Sequence, residues 1–109
     1  MKIDVLGTKY TILQTNADKD ADLRECDGYC DKTTKRIVIT LPTADCNLGD
    51  FEVYRRKILR HEIIHAFLFE SGLHENFTHS MGHDETYVDW IAVQYPKLKA
   101  AFIKAGCDE

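Results

Sequence analysis

The hydrophobic pattern of this chain changes once, between Pro42 and Asp50, and the change limits the fold classes open to it. Before Pro42, short runs of β-branched and aromatic residues alternate with turn residues, which is typical of strands. After Asp50, apolar residues recur at the spacing of an amphipathic helix. Strands that all precede the helices predict an α+β domain. We expect a small antiparallel sheet of hairpins followed by two or three helices.

Two hairpins are predicted in the first part of the chain. Gly7-Thr8 supplies the turn of the first hairpin, and residues 33–35 supply the turn of the second. Pro42 ends the last strand, because proline has no N–H to donate to a ladder. The polar stretch 16–27 shows no apolar period, which predicts a loop or a short exposed helix. The four strand segments are residues 2–6, 9–15, 28–32 and 36–41.

Helical spacing covers most of the second part of the chain. Asp50 or Asn47 can cap the first helix, and Gly72 is its expected stop. Pro96 is expected to open a separate helix, because proline suits the first turn of a helix and disrupts its interior. The predicted segments are a helix at about 50–71, a loop at 73–83, a helix at about 84–95, and a short helix from Pro96.

Length and charge exclude several classes of protein. The 109 residues correspond to one domain, and 44% hydrophobic content is ordinary for a globular chain. The formal net charge of −4 argues against nucleic-acid binding. The longest apolar run, Ala66–Phe69, is far shorter than the ~20 residues of a membrane span. Asp4 and Gly7 interrupt the place of a signal peptide's apolar stretch, which predicts a cytoplasmic protein.

The four cysteines contain no Cys-x-x-Cys pair, unlike the common zinc-finger patterns. In a cytoplasmic protein, free thiols are therefore expected. A structural zinc site or a disulfide built on Cys26 and Cys30 is an alternative, since the chain could close around Gly28. The sequence assigns no role to Cys46 or Cys107.

One pentapeptide in the first predicted helix contains candidate metal-binding and catalytic residues. His61 and His65 are four residues apart, so they share a helix face and can bind one metal ion, most often zinc. Glu62 follows the first histidine, close enough to take a proton from a metal-bound water. The competing interpretation is structural: the histidines could be ordinary surface or core residues. Glu62 could then pair with the arginines of the same helix, Arg55, Arg56 and Arg60.

The second predicted helix offers the ligand that two histidines lack. Glu85 could complete the metal site, and Asp89, on the same helix face, could accept the remaining N–H of a histidine ligand. His83 is the alternative third ligand, because it lies two residues before Glu85. We expect Glu85 in this position, since its spacing and its partner Asp89 agree with such a design.

These residues resemble a known group of enzymes. His-Glu-x-x-His, nineteen intervening residues and Glu-x-x-x-Asp is the arrangement of thermolysin-like metallopeptidases, the gluzincins. More of the chain is similar to the short metallopeptidases of phages and mobile elements, akin to the ImmA/IrrE group. The similar segments are residues 27–29, 34–39, 61–72 and 84–94.

The resemblance implies zinc-dependent hydrolysis of peptide bonds in a minimal zincin-like α+β domain, with a metal-activated water and Glu62 as general base. It implies a protein substrate, such as a regulator, held as an added β-strand along an edge strand at 35–41. Larger thermolysin-like enzymes also carry a histidine or tyrosine that stabilises the oxyanion. By chemistry alone, the candidates here are His74, His83 and Tyr87.

Other residues are expected to be structural. A metzincin would need glycine and histidine where this chain has Leu68 and Ser71, so that family is excluded. His74 and His79 are expected in the loop, and Met81 either in packing or in the loop. Phe67 and Trp90 are expected in the core or a cavity wall.

Three hypotheses follow from the sequence. The first is a zinc endopeptidase. The second is a catalytically inactive zincin-like domain that acts as a protein-interaction or regulatory module. The third is a chance occurrence of the motif in a helical packing domain. The sequence predicts no oligomeric state.

Overall fold

A computed structural model of the chain describes residues 1–76, 84–105 and 107–108. It has the predicted α+β architecture, in which a four-stranded sheet is followed by helices. A 3₁₀ turn at Ala21–Arg24 occupies part of the polar stretch 16–27. The main elements are β1 (Lys2–Val5), β2 (Thr8–Thr15), β3 (Gly28–Asp31), β4 (Arg36–Thr40), α1 (Phe51–Glu70), α2 (Leu73–Asn76) and α3 (Glu85–Ala105).

Both predicted hairpins are confirmed. β1 pairs antiparallel with β2 through a two-residue turn at Leu6 and Gly7, one residue earlier than expected. Both turn residues have positive φ, 51° and 91°, as a twist-matched hairpin turn requires. β3 pairs antiparallel with β4, and the Asp31 carboxylate accepts hydrogen bonds from the N–H groups of Thr33 and Thr34 in their turn.

The sheet is mixed, so the expectation of a wholly antiparallel sheet is wrong. β2 and β4 pair in parallel, and the strand order is β1-β2-β4-β3. Parallel neighbours need a long crossover, and the chain from Asn16 to Lys35, which includes β3, provides it. The prediction of an edge strand at 35–41 is wrong for the same reason. β4 lies inside the sheet, and β3 is the edge strand next to it.

Helix α1 begins and ends where the sequence indicates. The Asp50 carboxylate accepts from the N–H groups of Glu52 and Val53, which satisfies two donors of the first turn. At the other end Gly72 adopts a φ of 83°, a conformation that glycine tolerates best. Between these caps α1 packs across the sheet and closes the core. The core cluster is Val5, Tyr10, Ile37, Ile39 and Ala66, against which Ile58, Leu59 and Ile63 of α1 pack.

A polar network attaches the last turn of α1 to the sheet. The Glu70 carboxylate accepts from the Tyr10 hydroxyl at 2.7 Å and from Lys35 Nζ at 2.6 Å. Thr8 Oγ1 donates to the second oxygen at 3.1 Å. Two residues of β2 and one of the β3–β4 turn thereby hold one helix end, which fixes the height of α1 over the sheet.

Helix α3 is continuous, so the prediction of a separate helix opening at Pro96 is wrong. Pro96 lies inside the helix and removes the N–H that would bond to the carbonyl of Ala92. Arg60 Nε donates to that carbonyl instead, at 2.7 Å. This hydrogen bond from α1 replaces the one that the proline removes, and α3 continues past Pro96. None of the described helices combines the length and the apolar character that a membrane crossing requires.

Three smaller expectations are also corrected. Residues 73–76 form the short helix α2 rather than a loop, while the rest of the predicted loop lies outside the described residues. Phe67 and Trp90 are 40% and 53% exposed, so they belong to neither the core nor a cavity wall. Trp90 lies two residues from both Val88 and Ala92, the buried residues of α3, and therefore points away from the packed face.

Candidate metal centre

Helices α1 and α3 bring His61, His65 and Glu85 together. The two histidines are one turn apart on α1, and their Nε2 atoms are 3.1 Å from each other. Glu85 is the first residue of α3, where Asp84 caps the helix by accepting from the N–H of Thr86 at 2.7 Å. The Glu85 carboxylate lies 3.0 Å from His61 Nε2 and 2.9 Å from His65 Nε2.

The three side chains have the geometry of a metal-ligand set. Ligand atoms from all three lie within 4.8 Å of one another. The two histidine Nε2 atoms are 3.1 Å apart, close to the edge of about 3.3 Å in a zinc tetrahedron with bonds of about 2.05 Å, and Glu85 approaches His61 with Oε2 and His65 with Oε1. The residues therefore fit a zinc site with three protein ligands and one open position.

Asp89 sets the orientation of the His61 imidazole. Its Oδ1 lies 3.1 Å from His61 Nδ1, which favours the proton on Nδ1 and leaves the lone pair of Nε2 facing Glu85 and His65. Lys57 Nζ donates to the same oxygen at 3.2 Å. Partial burial opposes ionisation of Asp89, but the hydrogen bonds from Lys57 and His61 prevail and lower its pKa. The carboxylate is thus charged and able to hold the imidazole.

Glu62 lies in the wall of the site and is only 7% exposed. Burial raises its pKa to about 7; the neighbouring His61 opposes this shift, and the charge of Glu85 adds to it. Burial also lowers the pKa of His65. The neutral imidazole is the form that binds a metal.

The site opens into a cavity of about 860 Å³ between α1, β3 and the start of α3, which we call the metal-side cavity. One end of it is aromatic: the rings of Phe69 and His74 meet edge to face, 4.9 Å apart. Besides His61, His65 and Glu85, the lining includes Cys26, Asp27, Gly28, Tyr29, Cys30, Lys57, Ile58, Glu62 and Asp89.

The four cysteines are free, as expected. Cys26 and Cys30 both line the metal-side cavity, but within residues 1–76, 84–105 and 107–108 the only cluster of three or more metal-binding side chains is the one around Glu85. Burial, with a contribution from the charge of Glu62, raises the pKa of Cys30 to about 12. This thiol is therefore protonated at neutral pH.

The other predicted site residues have different outcomes. Of the three oxyanion candidates, His74 lines the metal-side cavity, whereas Tyr87 is exposed and does not. His83, the alternative ligand, lies outside the described residues, as do His79 and Met81.

The sequence did not lead us to Lys57, which pairs with Asp89 beside His61. Lys57 lies four residues before His61 and therefore on the same face of α1, and this spacing could have indicated that it lies beside the site.

Comparison with known proteins adds no relative. No family model, curated protein or solved structure matches the chain. The resemblance to short zinc metallopeptidases therefore rests on the motif residues themselves and on what their geometry can support.

Proposed function

We propose that this protein is a zinc-dependent peptidase in which His61, His65 and Glu85 hold the metal. The observation that carries the proposal is the convergence of two Nε2 atoms and one carboxylate within about 3 Å of each other, beside a buried glutamate. Three lone-pair donors at this distance repel one another unless a proton or a cation lies among them. Zinc is the cation that such a histidine and carboxylate set binds most often.

Three further residues of the site have separate roles in this proposal. A zinc ion bound here supplies Lewis acidity, which lowers the pKa of water toward about 7 and polarises a carbonyl group. Glu62, in the cavity wall next to His61, accepts the proton of the attacking water and delivers it to the leaving amine. Asp89 holds His61 in the tautomer that can bind metal. His74 is the described cavity residue best placed by chemistry to support the developing oxyanion.

The edge strand β3 supports a peptide as the substrate. The carbonyl of Asp27 accepts from the N–H of Thr40 at 2.9 Å, so main-chain groups at this position face β4. Because these groups alternate along an antiparallel pair, those of Gly28 and Cys30 face away from β4. An extended peptide can add to the sheet there, alongside the metal-side cavity. Following the resemblance to phage peptidases, we propose a protein substrate, such as a regulator, and a cytoplasmic location.

A catalytically inactive binding domain is the second candidate. The Tyr29 hydroxyl already donates to Asp20 at 2.5 Å, and Lys57 is paired with Asp89. Among the described lining residues these two donors are therefore engaged in contacts away from the metal-binding side chains. A domain with few hydrogen-bond donors for an oxyanion could bind zinc and a peptide without cleaving the peptide.

One variant separates the two candidates. Protein expressed with zinc should contain about one equivalent of metal by elemental analysis and should cleave a degenerate peptide library. Glu62→Gln should keep the metal and abolish cleavage, whereas Glu52→Gln, an exposed change on the same helix, should retain both. Stoichiometric metal without cleavage by the natural protein would favour the binding domain. Absence of bound metal, or unchanged cleavage by Glu62→Gln, would overturn the proposal.

A further inference from the structure

A second cavity continues the metal-side cavity beyond Asp27. It has a volume of about 630 Å³, and Asp27 lines both cavities. The Tyr54 hydroxyl donates to the Asp27 carboxylate, which links α1 to the entry of β3 at this boundary. Part of the wall of the second cavity is apolar, and two of its leucines, Leu41 and Leu48, are exposed. A chain that leaves the metal side past Asp27 therefore meets an apolar surface.

Helix α1 and strand β3 run side by side in the same direction between the two cavities, and we call the path along the open edge of β3 the groove. At one end the Tyr54 side chain contacts Asp27. In the middle, a Cβ added to Gly28 would lie 2.9 Å from Cγ2 of Ile58, which shows how closely strand and helix approach. Tyr54, Ile58 and Glu62 are successive turns of one helix face, and Glu62 lines the metal-side cavity beyond them.

The length of this groove can be counted in substrate residues. Tyr54 precedes His61 by seven residues, which corresponds to about 10 Å along a helix. An extended peptide advances about 3.3 Å per residue, so about three residues separate the metal from the second cavity. Antiparallel pairing with β3 is the more stable choice and orients the peptide with its C-terminal side toward Asp27.

From this geometry we infer that the second cavity binds an apolar side chain of the substrate, about three residues C-terminal to the scissile bond. The inference rests on the proposed peptidase function. The apolar surface around Leu41 and Leu48 would bind this part of the substrate, because it continues the groove along which the open edge of β3 would hold a peptide.

The experiment uses a degenerate peptide library whose cleavage products are sequenced by mass spectrometry, with Glu62→Gln as the control for contaminating peptidases. Leucine, phenylalanine and methionine should be enriched about tenfold over aspartate at the third residue after the cleaved bond. The mirror position before the bond should show no such enrichment. Leu48→Asp and Leu41→Asp should each abolish the preference while cleavage continues. Leu6→Asp, an exposed change in the β1–β2 turn, should leave it intact.

The outcomes distinguish this inference from the function on which it rests. No cleavage of any peptide by the natural protein would overturn both. Cleavage with no apolar preference at the third position, or with the preference on the N-terminal side, would overturn the second cavity's role alone. Two independent leucine variants are included because one of them could fail to fold, which circular dichroism would reveal.

Discussion

Arg60 of α1 donates a hydrogen bond from Nε to the main-chain carbonyl of Ala92 in α3, at 2.7 Å. This carbonyl lies four residues before Pro96, so it is the group that the proline leaves without its usual helical donor. The contact keeps α3 continuous and also fixes it against α1. Since Glu85 and Asp89 lie on the same helix, one side chain on α1 helps to set where Glu85 and Asp89 are placed.

Replacing Arg60 should therefore destabilise the fold and weaken the metal site. Arg60→Met removes the donor but keeps the length of the side chain, and we expect a loss of about 1–3 kcal/mol, because a buried carbonyl loses its partner. Urea unfolding followed by circular dichroism measures this loss. Arg56→Met, an exposed change on the same helix, is the matched control. In a Pro96→Ala background the helix can supply its own donor, so the cost of Arg60→Met should fall; equal costs in both backgrounds would refute the explanation.

Pro96 illustrates why the sequence alone does not predict every helix boundary. Proline predicts a helix boundary from local sterics, and only the tertiary contact with Arg60 reverses that prediction. The order of the strands was inaccessible for a similar reason. The pairing of β2 with β4 joins segments some twenty residues apart, and no local pattern distinguishes it from a meander of hairpins.

The arrangement of His61, His65 and Asp89 was more predictable than the strand order, because helix geometry determines most of it. The spacing of His61 and His65 alone places both imidazoles on one face of α1. From the position of Glu85, Asp89 could be paired with one of the two histidines, and the structure shows that this histidine is His61. The closing of the Glu85 carboxylate onto the two histidines depends on how α3 packs on α1, which only the structure supplies.

Asp89 should matter for metal binding even though it is not a ligand. Asp89→Ala removes the partner of His61 Nδ1 and should reduce zinc affinity about 10–100-fold, the usual effect of such changes. Competition with a chromogenic chelator measures the affinity. Asp45→Ala, an exposed carboxylate bonded to Thr43, is the control and should have no effect. An unchanged affinity for Asp89→Ala would show that this carboxylate does not position the ligand.

Stability should depend on pH through Glu70. Hydrogen bonds from Lys35, Tyr10 and Thr8 lower the pKa of Glu70 below its ordinary value of 4.5. A carboxyl group that is more acidic in the folded state stabilises the fold above its unfolded pKa, and this contribution is lost as pH falls through the folded pKa. The difference in unfolding free energy between the natural protein and Glu70→Gln should therefore be constant above about pH 5 and should shrink below 4.5.

Urea titrations at a series of pH values test this expectation. Glu25→Gln, an exposed glutamate, serves as the control and should parallel the natural protein throughout. A difference between the natural protein and Glu70→Gln that stays the same from pH 7 to about pH 3 would exclude a linkage through Glu70.

Gly28 should tolerate no side chain, because strand and helix meet there. A Cβ at this position would lie 2.9 Å from Cγ2 of Ile58 and 3.1 Å from the main-chain carbonyl of Val38. Gly28→Ala should cost about 1–3 kcal/mol, as overpacking in a core does, and should displace β3 from α1. Gly49→Ala is a matched control, since nothing lies within 4 Å of its Cβ position. Thermal melting compares the two variants, and equal melting temperatures would contradict the close approach of β3 to α1 on which the groove depends.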